Sequence, residues 1–104
     1  MRPDDAEALD ELERDYQLGE LVRRARRAIS LGRLAQAEQA AAQAAELAPN
    51  TTTVEELLGD VAMARGQFAA ARDHFRRALE IEPANADAEV KYGEAVLKLG
   101  TAVH

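Results

Sequence analysis

The sequence predicts an all-α protein, a short α-α superhelix of stacked helical hairpins. Helix-forming residue types dominate: apolar residues make up 47% of the 104 residues but aromatic residues only 4%, because alanine supplies much of the apolar content. A second observation is a 34-residue period, which aligns Gly32 with Gly66 and Gly100, and Pro49 with Pro83. Such a period is typical of solenoids, in which each helical hairpin packs only on its neighbours.

An N-terminal helix is expected over residues 3–17, before the repeats begin. Acidic residues at the start of this segment favour a helix N-terminus, where they interact well with the helix dipole. Leu9, Leu12 and Tyr16 then form a narrow apolar stripe. The helix either breaks near Gln17–Gly19 or runs on into the next helix, and a frayed, solvated tail is the alternative.

The net charge of −6 is concentrated at the N terminus. Residues 1–20 hold eight acids and two bases, whereas acids and bases balance in the rest of the chain. The basic run Arg23-Arg24-Ala25-Arg26-Arg27 is a candidate for nucleic-acid binding, but its arginines fan around a helix and no aromatic residue is interleaved with them. Because the acidic balance also opposes phosphate binding, we expect this run to face the N-terminal acids and expect no nucleic-acid partner.

Each 34-residue unit is predicted to form two antiparallel helices joined by a short turn. The first helix of the second unit is expected over 55–65, after a capping box at Thr53-Val54-Glu55-Glu56. Gly66 ends it in a left-handed conformation. The second helix, over 68–81, carries apolar residues at three- and four-residue spacing on one face, which Phe75 dominates.

The next elements follow from similar signals. Pro83 prevents the helix over 68–81 from continuing, and Asn85 can cap a helix over about 86–99. In the first unit the second helix is expected over 35–48. Small residues should occupy the positions where helices cross, and the large side chains of the second unit should fill the spaces beside them. The small residues form two columns of the repeat, Ala25, Gly59 and Gly93 in one and Ala37 and Ala71 in the other.

Residues 52–85 resemble the tetratricopeptide repeat family. The residues that carry this resemblance are Leu58-Gly59, Ala62, Gly66, Phe68, Ala71, Phe75, Ala78-Leu79 and Pro83. The resemblance divides the chain into an acidic N-terminal helix or tail (1–17), a degenerate first repeat (18–51), a second repeat (52–85), and a capping helix with a C-terminal tail (86–104). The first repeat departs from the pattern at Arg24, which matches Leu58, and at Ala41, which matches Phe75.

The resemblance implies a protein–protein interaction module that binds a peptide or helical segment of a partner. In this family the first helix of each repeat lines a concave groove, and the corresponding residues here are Val22, Arg26, Ile29, Glu56, Asp60, Met63, Val90, Glu94 and Leu97. Because this set is apolar and acidic, we expect a partner with apolar and basic residues. Some family members clamp acidic chaperone tails with lysine and asparagine; these positions lack an asparagine pair, so we do not expect that mode.

No catalytic, cofactor or metal site is expected. Glu56 and Asp60 share a helix face, but acid–base catalysis needs an enclosed pocket that thin alanine helices do not offer. His74 is expected to be a surface residue, and His104 is terminal. The absence of cysteine excludes thiolate chemistry. The chain is therefore expected to be a non-enzymatic, soluble, cytoplasmic protein without membrane contact.

A second function remains open, a structural module that self-associates through its helices. Two features motivate it: the open ends of a short stack, and the alanine-rich helix over 35–48, whose ridge would permit tight packing against another copy.

Overall fold

The computed structural model describes residues 3–102, which form five α-helices and no strand. The helices are α1 Pro3–Ser30, α2 Leu34–Leu47, α3 Thr52–Ala64, α4 Phe68–Ile81 and α5 Ala86–Ala102. Consecutive helices pack against one another, and α1 also packs against α3. The predicted all-α fold is confirmed: α1–α2 and α3–α4 form two hairpins, and α5 packs against α4. None of the helices in these residues combines the length and apolar character that crossing a membrane requires.

The N-terminal helix is one continuous element with the first helix of the repeats. α1 passes through Gln17–Gly19 without a break, and every side chain described from Glu7 to Gln17 is exposed. Within one helix Asp10 lies about 20 Å along the axis from Arg23, so the acidic start cannot fold back onto the basic run. The expectation was therefore wrong for the acids of residues 3–17, whereas Glu20 pairs with Arg23 at 2.6 Å, one turn away.

Both hairpin turns use a glycine in the left-handed region, with φ of 72° at Gly32 and 75° at Gly66. In each turn the glycine N–H donates at 3.0 Å to the carbonyl three residues before it, and the next N–H donates at 2.8 Å to the carbonyl five residues before itself. The prediction for Gly66 is confirmed. Gly100, which shares the same column of the repeat, lies inside α5, so this helix is three residues longer than the sequence predicted.

The side chains of a threonine and an asparagine cap the N-termini of α3 and α5. Asn85 Oδ1 accepts from the Ala88 N–H at 3.1 Å at the start of α5, as predicted. Helix α3 begins at Thr52, and its cap is Thr51, whose Oγ1 accepts from the Val54 N–H at 3.4 Å. The predicted capping box at Thr53–Glu56 was therefore wrong, because both of its ends lie inside the helix.

The core consists of two apolar clusters, one among α1, α2 and α3 and the other among α3, α4 and α5. In the second cluster Gly59 faces the ring of Phe75 and leaves no room for a β-carbon. In the first cluster the equivalent positions are Ala25 and Ala41, and both are buried. The expected need for a small residue holds at Gly59 but was wrong at Gly93, where a β-carbon would meet nothing within 4 Å because no described helix follows α5.

Candidate binding groove

An open groove of about 650 Å³ runs across α1, α3 and α5, on the side where the first helices of the repeats lie next to each other. We call this surface the groove; it is lined by Arg26, Ile29, Ser30, Asp60, Met63, Ala64, Phe75, Lys91 and Glu94. All but Phe75 come from α1, α3 and α5. Phe75 belongs to α4 and lies at the floor of the groove.

The 34-residue period places the groove residues in rows across the helices. Arg26, Asp60 and Glu94 occupy the same position in successive repeats, and Ile29 and Met63 form a second row one turn further along. Residues three or four apart share one face of a helix, so α1 and α3 each contribute a charged and an apolar residue to the same wall, whereas α5 contributes Lys91 and Glu94. The groove thus combines an apolar row with a row of charges.

A chain of salt bridges neutralises the centre of the groove. Asp60 Oδ2 accepts from Arg26 at 3.1 Å and from Lys91 Nζ at 3.2 Å. Lys91 Nζ also lies 3.9 Å from Glu56 Oε1, within ion-pair distance but beyond hydrogen-bond reach. The Asp60 side chain is only 18% exposed, so water screens these pairs less than it screens pairs at the surface. The two carboxylates on one face of α3 are therefore engaged by cations of the same molecule.

Five of the nine residues predicted to contact a partner line the groove, namely Arg26, Ile29, Asp60, Met63 and Glu94. The other four do not line it. Val22 packs against the first core cluster, Glu56 approaches Lys91 from outside the lining, and Val90 and Leu97 are exposed on α5.

Lys91 is the main groove residue that was absent from the predicted partner set. The lining of α5 consists of Lys91 and Glu94, so this helix is rotated relative to the expectation of Val90, Glu94 and Leu97. The sequence contained a signal for Lys91. This base lies 31 residues after Asp60, which is about one helical turn less than the 34-residue period, so it falls on the same side of α5 as the position equivalent to Asp60. Ser30, Ala64 and Phe75 were also absent from that set.

Three of the four arginines of the basic run lie together on one side of α1, namely Arg23, Arg24 and Arg27, and Arg26 lies on another side. Arg26 enters the groove, whereas Arg24 lies beside glutamines on α2, and Arg23 pairs with Glu20. The predicted fan holds for Arg26, whereas Arg23, Arg24 and Arg27 share one surface with Glu20.

His74 and Glu55 form a partly buried polar pair between α3 and α4, outside the groove. His74 Nδ1 lies 2.9 Å from Glu55 Oε2, and the glutamate residue is 8% exposed. A carboxylate only accepts, so we assign the ring proton to Nδ1. The His74 side chain is 24% exposed, so it lies partly at the surface while it makes this contact. In the part of the chain that the structure describes, which excludes His104, no group of three acidic, histidine or cysteine side chains could hold a metal ion.

The alanine ridge proposed for self-association is used inside the protein. Four alanines of α2 are buried against α1 and α3, namely Ala37, Ala40, Ala41 and Ala44. The outer side of α2 carries mainly glutamine and glutamate, with Ala35 and Ala42 between them. The expectation of an exposed ridge was therefore wrong.

A comparison with protein-family models matches residues 59–100 to the TPR repeat. The matched segment runs from the glycine that faces Phe75, through α4, to the last part of α5. No curated protein and no solved structure matches the chain.

Proposed function

Because the chain belongs to the tetratricopeptide repeat family, we propose that it binds a peptide segment of another protein in the groove between α1, α3 and α5. Repeats of this family generally mediate protein–protein interaction and are generally not catalytic. The finer assignment to the groove rests on the shape and chemistry of that surface.

The observation that carries the proposal is the concave groove, in which half-buried apolar residues lie beside charges. Ile29 and Met63 are adjacent members of one row, and both are partly exposed. Such residues can receive an apolar anchor from an extended or helical segment, while nearby charges fix its direction. At about 650 Å³ the groove has room for several side chains of a guest peptide.

The free charge of the groove lies at its C-terminal edge. Asp60 is held by Arg26 and Lys91, so it has little attraction left for a partner. Glu94 is exposed and makes no salt bridge within the part of the chain that the structure describes. We therefore propose that a basic side chain of the partner pairs with Glu94, while an apolar side chain lies between Ile29 and Met63.

Peptide selection followed by calorimetry tests this proposal. Random peptides displayed on phage are selected on the wild-type chain, and the enriched sequences are titrated by isothermal calorimetry into three proteins: wild type, Glu94→Arg and Glu89→Arg. Glu89 is a matched control because it is exposed on the same helix but does not line the groove. We expect enriched peptides to combine apolar and basic residues, and Glu94→Arg to weaken their binding roughly tenfold, or about 1.4 kcal/mol.

The control should change the affinity by less than about twofold, because exposed charges outside an interface contribute little. Met63→Ala should also weaken binding, since it removes the apolar anchor site. Equal losses in Glu94→Arg and Glu89→Arg would show only a general charge effect. Enriched peptides that bind both variants and Met63→Ala as tightly as wild type would place the binding surface elsewhere.

A further inference from the structure

The exposed apolar residues concentrate at the two ends of the molecule. Eight large apolar side chains are exposed among the described residues, and six of them lie on two surfaces. The N-terminal stripe consists of Leu9, Leu12 and Tyr16 on α1. The C-terminal face consists of Val90, Val96 and Leu97 on α5, together with Gly93 between them. Tyr16 is 68% exposed and Leu97 71%, so neither surface is covered within one copy.

The C-terminal face has the form of a helix-binding site that lacks its helix. In the second repeat Gly59 is covered by Phe75 of the next helix. Gly93 lies 34 residues later, at the same position of α5, but a β-carbon there would meet nothing within 4 Å. A terminal helix of a solenoid normally presents a polar outer side. Since α5 presents Val96 and Leu97 instead, its outer side fits a further helix.

The N-terminal stripe has the residue spacing of a helix that covers such a glycine. Leu9, Leu12 and Tyr16 are separated by three and four residues, and the apolar face of α4 has the same spacing at Phe68, Ala71 and Phe75. Gly19 then falls where α4 has Ala78, another small residue. In this alignment Tyr16 corresponds to Phe75, the side chain that covers the glycine.

The stripe cannot reach α5 of its own molecule. It precedes Leu18 on a helix that packs on α2 and α3, while α5 packs on α4 at the other end of the stack. Residues 7–17 extend about 16 Å beyond the first hairpin as a free helix. A second copy, however, can insert this free helix against α5.

We infer that the chain assembles head to tail, with the N-terminal stripe of one copy packed on the C-terminal face of the next. The contact joins two different surfaces, so it is heterologous and each added copy leaves a further surface open. Leu12 is larger than Ala71, so the inserted helix lies further from α5 than α4 lies from α3. This assembly goes beyond peptide binding in the groove and does not depend on it.

Charge favours this arrangement over a symmetric pairing of two N-terminal helices. Residues 7–20 contain six acids and one base, so two such helices side by side would repel each other. Helix α5, which carries the C-terminal face, holds three acids and two bases. The acidic helix therefore meets a nearly balanced surface in the head-to-tail contact.

Sedimentation velocity over a range of concentrations tests the inference with two complementary variants. Tyr16→Ser with Leu12→Ser removes the stripe, and Gly93→Glu adds a side chain at the centre of the C-terminal face, with a charge that repels the acidic helix. Neither change disturbs the folded monomer, since both side chains of the stripe are exposed and Gly93 has open space beside it. Leu31→Ser is the control, because Leu31 is similarly exposed but lies outside both surfaces.

We expect the sedimentation coefficient of wild type and Leu31→Ser to rise with concentration. Each interface variant alone should associate at least about tenfold more weakly. An equimolar mixture of the two variants should form a heterodimer that grows no further. The stripe variant keeps only an intact C-terminal face and Gly93→Glu keeps only an intact N-terminal stripe, so these two surfaces pair and no intact surface is left. Circular dichroism of each variant checks that the helices are intact.

Three results would overturn the inference. The first is a wild-type chain that stays monomeric into the millimolar range, which would leave the two surfaces to other partners. The second is a Gly93→Glu variant that associates as strongly as wild type, which would indicate symmetric pairing of N-terminal helices. The third is an equal loss of association in Leu31→Ser.

Discussion

Gly59 of α3 lies directly against the ring of Phe75 of α4. A β-carbon at residue 59 would come within 2.3 Å of Phe75 Cε1 and within 2.7 Å of two further ring atoms. Phe75 is fully buried, and a β-carbon at residue 59 would have to displace its ring. The absence of a side chain at one position thus sets how closely the two helices of the second hairpin approach.

Substitution of Gly59 by alanine is expected to destabilise the protein. Overpacking a well-filled core costs about 1–3 kcal/mol, and the better helix propensity of alanine returns about 1 kcal/mol, so the free energy of unfolding should fall by up to about 2 kcal/mol. Urea unfolding followed by circular dichroism measures this change. Gly93→Ala is the matched control and should raise stability by about 0.5–1 kcal/mol, because its β-carbon meets nothing. Stabilisation by both substitutions would mean that the Phe75 ring shifts to make room for the new β-carbon at little cost in free energy.

The salt bridges at Asp60 are expected to stabilise the packing of α1 and α5 on α3. Asp60→Asn leaves Arg26 and Lys91 without their shared partner and should cost about 1 kcal/mol in low salt. The difference from wild type should shrink as sodium chloride is added. Asp73→Asn serves as the comparison, because Asp73 pairs only with arginines of its own helix and is more exposed; its cost should be near zero. A loss at Asp60 that does not depend on salt would assign the effect to packing.

The Glu55–His74 pair is expected to show strong coupling between its members. His74→Leu removes the hydrogen-bond donor and leaves a nearly buried carboxylate without a partner, which should cost about 1–3 kcal/mol. Replacing both residues by leucine removes the polar requirement altogether. We expect the double variant to unfold at a higher urea concentration than His74→Leu, although it carries one more substitution. Additive losses in the double-mutant cycle would contradict this coupling.

Local signals in the sequence were sufficient for most of the helical framework. Gly66, Pro83 and Asn85 each act within a few residues of their own position, and the turn and the α5 cap follow from them. The α3 cap was misplaced because Thr51, Thr52 and Thr53 are consecutive, and residue type alone does not tell which of them lies outside the helix.

The groove and the partly buried pair depend on contacts between residues that are distant in sequence. The rotation of α5 decides that Lys91 rather than Val90 lines the groove, and no local pattern reports that rotation. Similarly, His74 lies 19 residues from Glu55, and their contact requires the orientation of α4 on α3. Repeat spacing predicts which helices are neighbours, but it does not predict which polar residues meet across them.

The first repeat should tolerate the glycine–phenylalanine pair of the second repeat only when both residues are exchanged together. Ala25 and Ala41 occupy the positions of Gly59 and Phe75, and both are buried in the first core cluster. Ala41→Phe alone places a ring against the β-carbon of Ala25 and should cost about 1–3 kcal/mol, while Ala25→Gly alone should cost about 1 kcal/mol through helix propensity and lost packing. Because the double variant has no β-carbon at residue 25, its new ring gains the space that Gly59 gives Phe75, and it should be more stable than Ala41→Phe alone. Chemical unfolding of the four proteins in the cycle measures this coupling. A double variant that is less stable than either single variant would show that the two repeats pack their first and second helices differently.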